Sequence, residues 1–464
     1  MPLSRPLFER RHVLASSILG SFGLFLPSAA NAASTAPPGP APAITEAGTT
    51  VEGPARTTDS FIGAATKSEA PGDPAIRPFE FHATDDQLAD LKRRINATRW
   101  PSRELVDDDT QGVQLATMQK LADYWASDYD WRDVEARLNA LPMFITNIDG
   151  VDIHFIHVKS KEANALPIVV THGWPGSIIE ELKIIGPLTD PTSYGGKTDE
   201  AFDVVIPSLP GYGFSAAPTE LGWDPVRIAR AWATLMDRLG YRHFVASGGD
   251  WGDPVTEQLA VNHSDRVRAI HLNMPSAVPP EIFSAIQGGP TPPNLSPDES
   301  HALQQLKFFF DKGVGYANEM RLRPQTLYAL EDSPIGLASW ILDHDTESYR
   351  LIARIFDGVD EGLTRDDILD NITLYWLTGT AVSSARLYWE NRLAFFQPQG
   401  VTVPVAVSAF PTELYQVPES WASWDSVWSA ESAEEGSETS CLRKPSIGPR
   451  AEMAASTRGS EPAW

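Results

Sequence analysis

Apolar segments of the kind that form buried strands alternate with helical segments between residues 167 and 272. An order of strand, helix and strand at this spacing is typical of a parallel sheet that helices cover on both faces. The alternation resumes at Val403–Ala409, after a mostly helical, aromatic-rich stretch from about residue 280 to 390. The sequence therefore predicts an α/β core that is interrupted by a helical insertion. The predicted strands are Pro167–Thr171, Phe202–Ile206, His243–Ser247 and Val267–Leu272, and the predicted helices are Ile178–Ile185, Pro225–Leu239 and Trp251–His263.

A small helical unit is predicted before this core. Thr84 and Gln87 have the spacing of a capping box, which begins a helix by pairing two backbone N–H groups with two side chains. Residues 113–125 and 131–141 have the apolar periodicity of two further helices. Asp149-Gly150 then separates two apolar runs, and this dipeptide is a strong signal for a β-hairpin.

The first residues have the order of an export signal. Arg10 and Arg11 precede the apolar run 13–26, and Ala30-Asn31-Ala32 has the pattern of a cleavage site. We therefore expect residues 1–32 to direct export to the periplasm or the medium, and the arginine pair resembles a twin-arginine signal. An uncleaved membrane anchor is the alternative, but the run is shorter than the roughly 18 residues that span a bilayer.

Residues 33–75 are predicted to form a disordered linker. They are rich in Ala, Pro, Thr, Gly and Ser and contain few large apolar residues. A segment of this composition cannot bury enough apolar surface to offset the loss of chain entropy on folding.

The composition excludes several classes of protein. The formal charge is −24, from 37 Lys and Arg against 61 Asp and Glu, so we expect no nucleic-acid partner, because such binding depends on basic residues. Cys441 is the only cysteine, which excludes an intramolecular disulfide framework and a multi-cysteine metal site. Neither H-E-x-x-H nor the phosphate loop G-x-x-x-x-G-K-[ST] occurs, so no metal or cofactor is predicted, and no apolar run is long enough to predict a membrane span.

The run Gly248-Gly249-Asp250-Trp251-Gly252 carries the main chemical signal. It lies between a predicted strand and a predicted helix, and it matches the G-x-nucleophile-x-G turn with Asp250 in the position of the nucleophile. Glycines allow so sharp a turn, which raises one side chain above the carboxyl edge of the sheet. The backbone N–H of Trp251 is then a candidate donor to an oxyanion. The alternative is an ordinary acidic turn.

His172-Gly173-Trp174-Pro175-Gly176 carries the second signal. It directly follows a predicted buried strand, where the second oxyanion donor of this kind of site is found. The backbone N–H of Trp174 is the candidate donor. Without the turn at Asp250, the segment would be only a loop that contains His, Gly and Pro.

These two segments, together with Leu209-Pro210-Gly211-Tyr212-Gly213-Phe214-Ser215, resemble the epoxide hydrolases of the α/β-hydrolase fold. Arg77-Pro78-Phe79 and Thr98-Arg99-Trp100-Pro101 are similar to the N-terminal domain of the microsomal-type members. The resemblance covers about residues 76–421. It implies an α/β-hydrolase fold with a helical cap inserted into the core and an N-terminal helical domain.

The resemblance also implies roles for individual residues. Asp250 matches the nucleophile, which attacks an epoxide carbon and forms a covalent ester. Tyr316 and Tyr388 match two cap tyrosines that give a proton to the leaving oxygen, and Tyr375 is a nearby alternative. A tyrosine is otherwise most often a packed aromatic residue with a satisfied hydroxyl. Glu413 matches the acid that orients the general base, although it also reads as a surface residue after a strand.

The general base itself is missing from the 464 residues. The family has a histidine in a Gly-Gly-His-Phe type of motif after the acid, whereas none of the ten histidines here follows Glu413. His172 belongs to the oxyanion loop and His344 to the cap, so neither is a candidate. The histidines are at positions 12, 82, 154, 157, 172, 243, 263, 271, 301 and 344.

The composition changes abruptly after Trp421, where apolar periodicity ends. Our hypothesis is that a frameshift replaced the native sequence of this segment. Resequencing the gene tests it, because the hypothesis requires another reading frame that encodes a motif of the Gly-Gly-His-Phe type. The predicted division is a signal 1–32, a linker 33–75, an N-terminal domain 76–145, a core 146–279, a cap 280–390, a continuation of the core 391–421 and an atypical disordered tail 422–464.

The implied function is the conversion of hydrophobic epoxides to vicinal diols through an aspartyl ester, in detoxification or the catabolism of aromatic compounds. The expected partners are a small hydrophobic epoxide and water. Since the histidine is missing, a catalytically dead or single-turnover relative that binds epoxides is one alternative. A haloalkane dehalogenase is another, because it also has an Asp nucleophile followed by Trp, but the N-terminal unit and the cap tyrosines argue against it. Nothing in the sequence indicates the oligomeric state.

Overall fold

The computed structural model describes residues 72–411, 413–422, 429–431 and 440–443. The predicted signal 1–32 and almost all of the predicted linker lie outside these residues. The first described unit consists of strand β1 (Arg77–Pro78) and helices α1 (Asp85–Asn96), α2 (Leu115–Ser127) and α3 (Trp131–Asn139). The capping box of α1 forms as predicted, because Thr84 accepts from the Gln87 N–H at 3.2 Å and Gln87 accepts from the Thr84 N–H at 2.8 Å.

A mixed sheet forms the centre of the described chain. Its further strands are β2 (Met143–Ile148), β3 (Val151–Val158), β4 (Leu166–Thr171), β5 (Phe202–Pro207), β6 (Phe244–Gly248), β7 (Val267–Leu272), β8 (Val405–Ala409), β9 (Ser429–Glu431) and β10 (Ser440–Arg443). Strands β5, β4, β6, β7 and β8 lie side by side and run parallel, which confirms the predicted α/β core. Strands β2 and β3 form the predicted hairpin, and β3 pairs antiparallel with β5.

Helices α4 (Leu182–Thr189), α5 (Pro225–Arg238) and α6 (Gly252–Asn262) connect the parallel strands. The helix predicted at Ile178–Ile185 begins four residues later than expected. The amides of Glu180, Glu181 and Leu182 instead donate to carbonyls three residues earlier, at 3.2–3.3 Å, so residues 178–181 form tight turns. The tight turns aim the side chain of Glu180 at the preceding loop, where it accepts the Gly173 N–H.

The cap is a helical insertion between β7 and β8, as predicted. Its helices are α7 (Pro280–Ile286), α8 (Pro297–Phe308), α9 (Gly315–Leu322), α10 (Ala329–Asp332), α11 (Pro334–Leu342), α12 (Thr346–Phe356), α13 (Arg365–Thr378) and α14 (Ala381–Glu390). The first helical unit is tied to this cap by buried hydrogen bonds. The Trp125 indole donates to Thr373 at 3.0 Å, and the Tyr129 hydroxyl donates to Asp370 at 2.9 Å.

The segment 422–464 was expected to be disordered, and two short pieces of it are described as strands. Strand β10 pairs antiparallel with the edge of β8 and with β9, since an edge strand offers unpaired backbone N–H and C=O groups. The rest of that segment lies outside the described residues. Among the helices that the structure describes, none is both long and apolar enough to cross a membrane.

Candidate active site

The turn between β6 and α6 raises Asp250 above the carboxyl edge of the sheet. Its backbone has a φ of 51°, a left-handed conformation that residues other than glycine seldom adopt. The turn closes so tightly that a Cβ on Gly252 would lie 1.9 Å from the carbonyl oxygen of Thr171. Glycine is therefore required at this position, as the sequence pattern predicts.

Two backbone N–H groups hold the Asp250 carboxyl. The N–H of Trp174 donates to Oδ1 at 2.7 Å, and the N–H of Trp251 is near enough to this carboxyl to lower its pKa. Burial raises the pKa of Asp250 to about 6, and the two N–H groups oppose that rise. The structure thus brings both candidate oxyanion donors to the candidate nucleophile.

Gly173 allows the close approach of this loop to the nucleophile. A Cβ at this position would lie 2.5 Å from Asp250 Oδ1 and 2.4 Å from the Asp250 Cβ. Any larger residue would have to displace either the loop or the carboxyl. The glycine after His172 is consequently a steric requirement of the site.

Two cap tyrosines face Asp250 from the opposite side. Tyr316 lies on α9 and Tyr388 on α14, and their ring centroids are 6.1 Å apart. Both side chains are buried, and each ring contacts a tryptophan that neighbours the nucleophile. The ring centroids are 5.1 Å apart for Trp174 and Tyr316 and 4.7 Å apart for Trp251 and Tyr388. Burial, followed by other neighbouring groups that include the charge of Asp250, raises the pKa of each hydroxyl, so both remain protonated.

Tyr375, the alternative proton donor, has a different environment. Its hydroxyl donates to the carbonyl of Gly176 at 2.7 Å, below the oxyanion loop. Tyr212, from the Leu-Pro-Gly-Tyr-Gly segment, is fully buried nearby, with ring centroids 6.4 Å apart. No role was assigned to Tyr212 from the sequence, and its burial beside the site had no sequence signal beyond the family motif.

Glu413 follows β8 and is placed toward the same edge of the sheet. The Asn273 side-chain amide donates to its Oε2 at 3.0 Å, and the N–H of Leu414 donates to its Oε1 at 3.0 Å. Burial raises the pKa of Glu413 to about 7, with a smaller contribution from the charge of Asp250. Glu413 is therefore within electrostatic reach of Asp250.

The two histidines near the site are committed to other contacts. His172 donates through Nδ1 to the carbonyl of Gly173 at 3.0 Å and accepts the Leu209 N–H through Nε2 at 3.1 Å. Burial lowers its pKa to about 4, so the ring is neutral and has no nitrogen available for proton transfer. His344 lies against the aromatic rings of the cap, 6.3 Å from Tyr316, and its Nδ1 donates to the carbonyl of Ile341.

A small cavity opens beside Asp250. Pro254, Met274, Phe395 and Phe396 are among the residues that line it, so its wall is mainly apolar. Such a wall suits a hydrophobic group of a ligand. Within the described residues there is no cluster of three His, Cys, Asp or Glu side chains that is able to hold a metal ion.

Two known protein families match most of the described chain. Residues 76–181 match the family described as epoxide hydrolase N terminus. Residues 167–362 match the family described as alpha/beta hydrolase fold. The two matches together extend from the first helical unit into the cap.

Individual proteins are similar over a comparable length. A protein of Stigmatella aurantiaca, provisionally named an epoxide hydrolase, is 51% identical over 348 residues, which are 75% of this chain and 76% of the relative. Epoxide hydrolase 1 of Oryctolagus cuniculus is 35% identical over 382 residues, 78% of this chain and 84% of the relative. The solved structure of Aspergillus niger epoxide hydrolase matches with a TM-score of 0.63 and 32% identity. The match covers 76% of this chain and 88% of the Aspergillus niger chain.

Proposed function

Since the chain belongs to the epoxide hydrolase family of the α/β-hydrolase fold, we propose that it opens a hydrophobic epoxide through a covalent ester of Asp250. The observation that supports this most directly is the facing arrangement of one carboxylate and two tyrosine hydroxyls. Asp250 is held by backbone N–H groups, and Tyr316 and Tyr388 meet above it. A nucleophile and a proton donor on opposite sides of a ligand are what the opening of an epoxide needs.

The first step forms the ester. One carboxylate oxygen of Asp250 attacks an epoxide carbon, and the bond between that carbon and the epoxide oxygen breaks. The oxygen takes a proton from Tyr316 or Tyr388, which leaves a tyrosinate. Because burial and nearby charge raise the pKa of both hydroxyls, they hold their protons until an alkoxide develops beside them.

The second step hydrolyses the ester. Water attacks Cγ of Asp250, and the N–H groups of Trp174 and Trp251 are positioned to stabilise the oxyanion. No histidine follows Glu413 in the 464 residues, so the base expected by resemblance is missing. We therefore propose that hydrolysis is slower than ester formation and that the ester accumulates.

Two other functions make different predictions. An epoxide-binding relative without turnover would form the adduct and release no diol. A haloalkane dehalogenase would release halide from a chloroalkane or bromoalkane, which is a simple measurement. The pair Tyr316 and Tyr388 favours an epoxide, since a departing halide needs no proton.

Intact-protein mass spectrometry with a small aryl epoxide tests the proposal. The purified protein is mixed with styrene oxide, and both the mass of the chain and the amount of diol are followed with time. We expect an added mass of one epoxide on the peptide that contains Asp250, followed by slow release of diol. Asp250→Asn is the control and should show neither. An unmodified chain that releases no diol, or an adduct elsewhere, would contradict the proposal.

We further propose that the protein is exported, on the basis of the signal-like residues 1–32. The expected site of cleavage follows Ala32. Fractionation of cells and N-terminal sequencing of the mature chain test this, and an uncleaved protein that remains in the cytoplasm would refute it.

A further inference from the structure

Glu180 is a half-buried residue whose carboxyl the steps above leave without a role. It lies in the turn before α4, where the Gly173 N–H donates to its Oε1 at 3.3 Å. Its Oε2 is shielded from solvent and has no hydrogen-bond partner among the described residues. A buried polar atom without a partner costs about 1–3 kcal/mol, so its presence in a folded protein needs a specific explanation.

Tyr212 presents a second atom of this kind. Its side chain is fully buried, and its hydroxyl also has no partner within the described part of the chain. Tyr375 is close to both groups, since Tyr212 and Glu180 each raise its pKa. The hydroxyl of Tyr375 is satisfied by Gly176, however, so Glu180 and Tyr212 are the two that need a further hydrogen bond.

Both groups are near the nucleophile. The charge of Asp250 raises the pKa of Glu180 and of Tyr212, although burial is the larger cause in each case. Gly173 links the two carboxyls physically, because its N–H contacts Glu180 and its α-carbon abuts Asp250. An acceptor and a hydroxyl are thus left unpaired in the surroundings of Asp250.

We propose that Glu180 and Tyr212 bind the water molecule that hydrolyses the Asp250 ester, and that the Glu180 carboxylate accepts the proton of that water. A buried water commonly makes about three hydrogen bonds to groups that are otherwise unsatisfied. Here Glu180 accepts one, and the Tyr212 hydroxyl supplies another. This inference rests on the proposed function, since it assigns the second step of the same reaction.

The proton balance of the step is complete. The water oxygen bonds to Cγ of Asp250 while one proton passes to Glu180 Oε2. The bond from Cγ to the substrate oxygen then breaks, and that oxygen takes the proton from Glu180, which gives the diol. The second proton of the water remains on the Asp250 carboxyl and returns to the tyrosinate that was left by the first step.

The charges around Glu180 favour its ionisation after the ester has formed. Burial and the charges of Glu181 and Asp250 raise its pKa, the Gly173 N–H lowers it, and Tyr375 is a further titratable neighbour. Esterification neutralises Asp250, so the pKa of Glu180 falls when the ester forms. The base therefore ionises more readily at the stage that requires it, and the hydrolysis rate should rise with pH through this lowered value.

Single-turnover mixing with styrene oxide separates the two steps. Ester formation is followed as added mass, and ester decay as loss of that mass with release of diol. In Glu180→Gln we expect formation at the original rate and decay slower by about 10²- to 10⁴-fold, with the rise of decay with pH abolished. Tyr212→Phe should slow decay by about 10-fold and keep the pH dependence, because it loses a contact to water but not the base.

Glu181→Gln is the matched control, because it removes the adjacent carboxyl, which is also half-buried. Because the charge of Glu181 raises the pKa of Glu180, the rise of ester decay with pH should move to lower pH in this variant, and the rate above that rise should stay within about twofold of the original. Decay in Glu180→Gln at the original rate would overturn this inference but leave the proposed function intact. A stable ester in the unsubstituted protein would overturn this inference and favour the epoxide-binding relative without turnover. Absence of any ester in the unsubstituted protein would overturn the proposed function instead. If Glu180→Gln does not fold, Glu180→Asp and Tyr212→Phe carry the same test.

Discussion

The sheet side and the cap side of the site are built in different ways. On the sheet side, Asp250 is held by backbone N–H groups whose positions follow from two tight turns. On the cap side, Tyr316 and Tyr388 reach the site from two separate helices, and their ring centroids lie 6.1 Å apart. The nucleophile is therefore positioned by local turns and small residues. The proton donors are instead positioned by the packing of helices that are far apart in the sequence.

The largest expected effect comes from removing both proton donors of the cap side. We expect ester formation to slow by about 10-fold in Tyr316→Phe or Tyr388→Phe and by about 10²- to 10⁴-fold in the double variant, since either hydroxyl is able to substitute for the other. Tyr349→Phe is a suitable control, because its hydroxyl accepts the Gln114 N–H away from the site. A double variant that forms the ester at the original rate would show that the cap side supplies no proton.

The sheet side should be most sensitive to added volume. In Gly173→Ala the new Cβ would overlap the Asp250 carboxyl, so ester formation should slow by about 10²-fold through displacement of the nucleophile. Gly315→Ala is the matched control, since a Cβ there meets no atom within 4 Å. Equal rates in the two alanine variants would mean that the loop moves without cost. The nucleophile would then not depend on small residues on the sheet side.

The placement of the sheet-side residues follows from the sequence because its determinants are local. The run around Asp250 lies between a strand and a helix, and the loop at Trp174 follows another strand, so parallel strands that end at one edge bring the two together. The candidate pair on the cap side came from family resemblance. Tyr316 and Tyr388 are 72 residues apart, and no periodicity in the chain predicts that α9 and α14 pack together.

Glu180 and Tyr212 show what a single sequence cannot supply. Glu180 lies in a segment that periodicity assigned to a helix, whereas the tight turns there direct its carboxyl to the N–H of Gly173. Tyr212 is one of 11 tyrosines, and only its burial without a partner distinguishes it from a packed aromatic residue. Both features are properties of the tertiary environment.

The pH dependence of ester formation reports on both sides of the site, with Asp250 governing the acid range and the cap tyrosines the alkaline range. Asp250 attacks only when ionised, and its pKa is raised to about 6, so the rate should fall by about 10-fold from pH 7 to pH 5 and level off above pH 7. The cap tyrosines must be protonated, and their raised pKa should extend the plateau beyond the ordinary tyrosine value of about 10. Rapid-mixing measurements at constant ionic strength check this. A rate that does not change between pH 5 and 7 would place the Asp250 pKa below 5.

The smallest expected effect concerns how the cap is held. Tyr129→Phe removes a hydrogen bond to the buried Asp370, which then keeps its ion pair with Arg137. We expect the free energy of unfolding to fall by about 1–2 kcal/mol in urea titrations, and the pH midpoint of ester formation to stay near 6, because Asp250 depends on the sheet side. Exposed Tyr194 provides the control, since Tyr194→Phe should change stability by less than about 0.5 kcal/mol. A shift of the midpoint in Tyr129→Phe would show that the two sides are coupled, and that the attachment of the cap helps to set the ionisation of the nucleophile.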